Sequence, residues 1–130
     1  MPYLFSGTIQ SNLDRTGYLS KDKLEQALET VRLPYRLDYP ILEGGQNLSQ
    51  GERQLVCLAR VIAADRQIIL MDEPTSGLDP LTDARINRIL ETSLKNRTVI
   101  TIAHRKESLD KYDTMIEMKA GQAIVLRTSK

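Results

Sequence analysis

Four apolar residues at positions 68–71, "IILM", run directly into Asp72 and Glu73. An apolar strand that ends in paired carboxylates is a phosphoryl-transfer pattern. Asp72 can hold a magnesium ion, a hard cation that prefers oxygen ligands and keeps several waters. Glu73 can polarise a water for attack on a phosphate. His104 follows a second apolar run, "TVITIA" at 98–103, and its imidazole N–H can steady the same phosphate. Upstream, "LSQGE" at 48–52 sets a hydroxyl, a glycine and a carboxylate before a long apolar run. There Ser49 can cap a helix, and the same helix start can receive an anion. Each signal also has a plain structural reading. A strand ending in Asp-Glu is often a solvated strand end, and a lone histidine after a strand is more often structural.

These residues must be positioned by regular elements. "SKDKLEQALETVR", residues 20–32, predicts a helix: Ser20 caps it, Asp22 suits its positive end, and Leu24, Leu28 and Val31 share a face. Pro34 is expected to stop it. Residues 33–48 read as loop, and a short helical turn is expected after Ser6. A second helix is expected from about 50 to 64, opened by "SQGE" as a capping box in which Ser49 and Glu52 satisfy each other's backbone N–H. Its body is apolar nearly all round, with Arg53 and Arg60 marking a narrow polar stripe, so it should be largely buried. The run at 68–71 predicts a strand covered on both faces, as in a parallel sheet. Pro80 can start a helix to about 94, with Ile86, Ile89, Leu90 and Leu94 at helical spacing. A strand at 98–103, a helical turn near 106–111, and strands near 114–118 and 122–127 around Gly121 complete the reading. Strand 68–71, helix 80–94 and strand 98–103 form one right-handed βαβ unit. Chemistry in such sheets collects at the carboxyl ends of the strands, which brings Asp72, Glu73 and His104 to one rim. Residues 1–64 therefore read as a mostly helical lobe and 65–130 as an α/β lobe of one domain.

The chain has 130 residues and a formal net charge of +1. That length supports one core. The balanced charge gives no reason to expect nucleic acid or an anionic membrane as a partner. Cys57 is the only cysteine and His104 the only histidine, so an intrachain disulfide and a multi-histidine metal site are excluded. Cys57 reads as a buried structural thiol. The start, "MPYLFSGTIQ", has neither the basic region nor the apolar stretch of a signal peptide. No apolar run approaches the roughly 18 residues of a membrane span, and the chain itself is expected to be soluble and intracellular.

Taken together and in order, "LSQGE", "IILMDEP", "TSGLDP" and "IAH" closely resemble the nucleotide-binding domain of ATP-binding cassette (ABC) proteins. "LSQGE" is similar to the family's signature sequence, "IILMDE" to its Walker B strand with the catalytic glutamate, "SGLD" to its D-loop, and His104 to its switch histidine. "LFSGTIQSNLD" resembles the segment just after the Q-loop in the multidrug-resistance-associated branch. The resemblance covers nearly all of the chain. No G-x-x-x-x-G-K-[ST] phosphate loop occurs in these residues, so the resemblance is to the C-terminal part of one domain.

The fold implied is α/β, a partial P-loop NTPase (ABC ATPase) fold with a helical signature subdomain and a parallel β/α half-core. Its sheet should then show an open apolar edge and face. The resemblance implies ATP and Mg2+ as cofactors. Asp72 would hold the metal, Glu73 would act as general base, and His104 would touch the γ-phosphate. Ser49, Gln50, Gly51 and Glu52 would face a nucleotide held by a partner domain, and Asp79 would communicate across the pair. For Glu52 the capping role is weighted above the phosphate role. The sequence departs from the family pattern at Gln50, where glycine is usual, and at Glu52, where glutamine is usual. The implied partners are a second ABC nucleotide-binding domain and an ABC transmembrane domain, with no nucleic acid and no direct membrane insertion. Location would be the cytoplasmic face of a membrane, through the parent transporter. The isolated chain, lacking the phosphate loop, is expected to be inactive. The alternative is a truncated, non-hydrolysing regulatory or dimerising protein.

Overall fold

A computed structural model describes residues 3–102 and 112–128 of the chain. In chain order the elements are β1 (Gly7–Thr8), α1 (Ile9–Leu13), α2 (Lys21–Val31), β2 (Pro40–Ile41), a 3-10 turn (Glu43–Gly45), α3 (Gln50–Ala64), β3 (Ile68–Asp72), α4 (Pro80–Ser93), β4 (Thr98–Ile102), β5 (Thr114–Lys119) and β6 (Gln122–Thr128). Among the described residues these strands form three two-stranded sheets. β1 pairs with β2 and β5 with β6, both antiparallel, while β3 and β4 run parallel. The mixed architecture is that of a partial P-loop NTPase domain. The helical turn expected near 106–111 lies outside the described residues.

Helix α2 starts at its predicted cap, while the cap of α4, Asp79, was not foreseen as one. Ser20 Oγ accepts from the Lys23 N–H, and Asp79 accepts from the N–H groups of Leu81 and Thr82, ahead of Pro80. Helix α2 stops before Pro34 is reached. Arg32 turns left-handed (φ 53°), and the Leu33 N–H returns to the Leu28 carbonyl at 3.2 Å. The Arg85 guanidinium, from α4, then donates to the carbonyls of Val31 and Arg32 at 2.7 and 2.6 Å. A cation thus closes the negative end of α2.

The core lies between helices. Leu24, Ala27, Leu28 and Val31 of α2 pack against Leu55, Val56, Leu58, Ala59 and Ala63 of α3. Ile9 and Leu13 of α1 and Ile86 and Ile89 of α4 join the same buried cluster. Apolar area removed from water here supplies the main drive for folding. Arg53 and Arg60 form the narrow polar stripe expected, and its guanidinium groups are turned to backbone carbonyls. Arg53 donates to the carbonyls of Gly45 and Leu48, and Arg60 to the carbonyls of Asn12 and Tyr3. Both side chains satisfy carbonyls of segments outside α3, among them the last turn of α1.

Strand β3 departs from its expected burial. Ile69 is buried, but Ile68 and Leu70 are 66% and 75% exposed. Their register partners on the same face, Thr98 and Ile100, are exposed as well. The physical reason is that helices cover one face of the strand pair and no described residue covers the other. The open apolar face expected from the sequence is present.

Asn12 is fully buried, and its amide is spent on backbone: it accepts from the Phe5 N–H at 2.9 Å and donates to the carbonyls of Phe5 and Thr8. Asn12→Ala should therefore cost about 2 kcal/mol or more, because it strands a buried amide and two carbonyls. Urea unfolding should show a lower midpoint with an unchanged slope.

Candidate functional site

The site is assembled from three chain reversals. At the first, Ser49 takes an extended conformation as N-cap of α3, and the predicted capping box is present in full. Ser49 Oγ accepts from the Glu52 N–H at 3.2 Å, and Glu52 Oε2 accepts from the Ser49 N–H at 2.8 Å. Ser49 and Gln50 are exposed. The helix thus has a buried body and a start that reaches solvent, which is a favourable place for an anion.

The second reversal is the end of β3. Asp72 closes the strand on its open face, paired in register with Ile102 of β4, and is exposed. Glu73 follows with φ 43°, a left-handed conformation that costs a non-glycine residue about 1–2 kcal/mol. It is held by its N–H donating to the Ile102 carbonyl at 3.0 Å and its carbonyl accepting from the Ser76 N–H at 3.1 Å. Backbone strain of this kind is retained where surrounding bonds over-determine it, and it concentrates at working sites.

The third reversal, residues 75–79, leads into α4. Asp79 is spent on the helix start. Its Oδ1 accepts from the Leu81 and Thr82 N–H groups at 3.1 and 3.0 Å. Bonding to the Thr82 side chain, then to backbone, holds its carboxyl below the ordinary carboxylate value.

The first and third reversals meet. Gln50 Nε2 donates to the Ser76 carbonyl at 3.1 Å. Gly77 has φ 74°, and a Cβ there would meet Gln50 Nε2 at 2.8 Å. A Cβ on Gly51 would meet Thr82 Cγ2 at 2.8 Å. Gly77 is therefore favoured by its left-handed conformation, and Gly51 by its close approach to Thr82. Ser49, Gln50 and Gly51 consequently share one surface with the loop that carries Asp79. Asp72 and Glu73 are adjacent at the tip of β3. His104, expected at the same rim, lies outside the described residues. Cys57 is largely enclosed, and burial pushes its thiol above the ordinary value.

One participant had no local signal. Tyr35, from the loop after α2, donates its hydroxyl to Glu52 Oε1 at 2.5 Å. Seventeen residues separate the two, and only the tertiary fold brings them together. The bond raises the Tyr35 phenol to about 12, first through Glu52 hydrogen bonding and then through burial. The same bond holds the Glu52 carboxyl below its usual value. Gln50, Gly77 and Thr82 as packing partners were also not foreseen, although a glycine inside "TSGLD" is the kind of residue that marks close approach.

A capped, solvent-facing helix start beside a carboxylate-tipped parallel strand defines the class as an ABC-type nucleotide-binding fold, in part. The chain belongs to the ABC transporter family, whose sequence profile matches residues 3–76. Among its relatives is a probable multidrug resistance-associated protein of Drosophila melanogaster, 42% identical over 130 residues, 95% of this chain and 10% of the relative. Human ATP-binding cassette sub-family C member 8 is 42% identical over 127 residues, 92% of this chain and 8% of the relative. Mouse ATP-binding cassette sub-family C member 10 is 40% identical over 131 residues, 96% of this chain and 9% of the relative. The multidrug-resistance-associated likeness seen in the N-terminal segment is therefore shared by the whole chain. The chain spans about a tenth of the length of these relatives. No helix among the described residues is long and apolar enough to cross a membrane.

The Tyr35–Glu52 bond sets a pH dependence. The folded-state phenol value, about 12, lies above the ordinary 10.0. Its stabilising contribution is thus complete below pH 10 and is lost as pH rises through about 12. Unfolding measured across that window should show the native sequence losing stability relative to Glu52→Gln. On the acid side, the depressed Glu52 value means stability is lost as pH falls below the ordinary 4.5 and through the lower folded-state value.

Proposed function

We propose that this chain is the C-terminal part of a nucleotide-binding unit in an ATP-hydrolysing ABC transporter, with its signature turn completing the ATP site of a second nucleotide-binding domain. The observation that carries this reading is the contact between the exposed α3 start and the 75–79 loop. It sets Ser49, Gln50, Gly51 and the Asp79 loop on one surface. That surface offers a helix N-terminus to a triphosphate bound elsewhere, which suits a site shared between two domains.

Roles follow from chemistry. Ser49, Gln50 and Gly51 contact the γ-phosphate of the partner's nucleotide through backbone N–H groups and the hydroxyl. Glu73 takes the proton of the attacking water as general base. His104 steadies the γ-phosphate, and Asp79 relays the state of one site to the other by its place at the head of α4. Among the described residues no group of three or more histidine, cysteine, aspartate or glutamate side chains could enclose a metal ion. Asp72 alone fits magnesium, which is carried largely by phosphate oxygens and water and needs few protein ligands. That ion would neutralise charge on the phosphates. Hydrolysis would separate the paired domains, and the transmembrane domain of the parent protein would turn that motion into transport. The chain's place is then at the cytoplasmic face of the membrane, reached through its parent.

The test is Glu73→Gln in the transporter that carries this segment. Removing a general base should lower ATP turnover by about a hundredfold or more, while filter binding shows ATP retained. Turnover at the native rate would overturn the assignment.

A further inference from the structure

We infer that Tyr35 is a positioning residue for the signature turn: it pins the Glu52 carboxylate into the cap of α3, so that the extra negative charge does not swing toward the phosphate the turn receives. This rests on the proposed reading of Ser49–Gly51 as a phosphate-contacting turn.

The geometry supports it atom by atom. Glu52 uses both oxygens within the protein, Oε1 accepting from the Tyr35 hydroxyl at 2.5 Å and Oε2 from the Ser49 N–H at 2.8 Å. A carboxylate held at both oxygens has one rotamer, whereas one held only by the cap can leave it. Bonds to a charged acceptor are short and strong, which fits the Tyr35 distance. A neutral side chain at position 52 would need no such restraint. The hydroxyl is therefore matched to the charge, and the ring has its own reason to be there. Tyr35 stacks on Tyr39 with centroids 4.1 Å apart and an interplanar angle of 26°. That stack lets the loop present the hydroxyl to α3, and phenylalanine would retain it. The turn's opposite side is fixed independently by Gln50 on Ser76, so Tyr35 governs the charge of the turn more than its shape.

The experiment is a double-mutant cycle in the transporter that carries this segment, read as KM for ATP and kcat. Tyr35→Phe should raise KM by about threefold to tenfold, the effect of one unscreened charge near a phosphate, and should fall on KM more than on kcat. In a Glu52→Gln background the same change should move KM by less than about twofold, because no charge is left to restrain. An equal rise in both backgrounds would show that Tyr35 acts through packing, and the inference would be wrong. Ser49→Asp separates this from the underlying reading, since it puts a charge on the turn directly. If it raises KM while Tyr35→Phe does not, the inference fails and the phosphate-contacting turn stands. If neither raises KM, the turn does not meet phosphate and both fail. Should Tyr35→Phe not fold, Glu52→Asp in the same transporter decides: the shorter carboxylate keeps its charge but loses reach to the Tyr35 hydroxyl, so KM should rise by about threefold to tenfold, and a KM unchanged from native would overturn the inference.

Discussion

The reciprocal cap between Ser49 and Glu52 decides where α3 begins, and the rest of the molecule is arranged around that helix. Its first turn faces solvent because the cap satisfies both backbone N–H groups that would otherwise need burial partners. Its body packs against α2, α1 and α4, and meets α1 at Arg60. Its two arginines then extend that control to neighbouring segments of the chain. Arg53 holds the carbonyls of Gly45 and Leu48 just before the cap, and Arg60 holds the carbonyls of Asn12 and Tyr3. A shift of α3 would disturb the turn at Ser49 and the N-terminal segment together.

The two halves of the molecule solve burial differently. The helical half is sealed, with α4 joining its core: Leu4, Ile9, Leu24, Val31 and Val56 are buried. The strand pair is covered on one face only, and Ile68, Leu70, Ile100 and Ile102 stand open on the other. Asp72 closes that open face at the carboxyl end of β3. Its carboxylate is therefore exposed, and the Glu73 backbone is the strained link that leaves the strand. Candidate chemistry and incomplete burial thus occur at the same strand tip, while the signature turn belongs to the half that is fully packed.

Much of this was legible from local pattern. "SKDKLEQALETVR" and "SQGERQLVCLARVIAA" carry their own start signals and 3.6-residue periodicity, and the helices begin at the capping residues expected. The parallel pairing of β3 with β4 follows from an apolar run, a helix and a second apolar run, since a parallel partner requires such a crossover. The errors have equally physical causes. Arg53 and Arg60 read as a polar stripe, but a sequence shows charge and not the carbonyls that charge will meet. The end of α2 was assigned to Pro34, whereas a left-handed Arg32 and a guanidinium from α4 act earlier. Tyr35 carried no mark at all, because its partner lies on another element.

The sequence by itself determined helices α2, α3 and α4, strands β3 to β6, the caps at Ser20 and Ser49 and the family, since those depend on residue types within a turn or two of one another; β1, β2 and the 3-10 turn, the last two in residues read as loop, were not foreseen. It also determined that a carboxylate pair would end β3. Only the tertiary structure decided that Gln50 would bond across to Ser76, that Gly51 would press on Thr82, and that both oxygens of Glu52 would be occupied. Those facts depend on distances between segments far apart in the chain, and such distances are set by how helices pack.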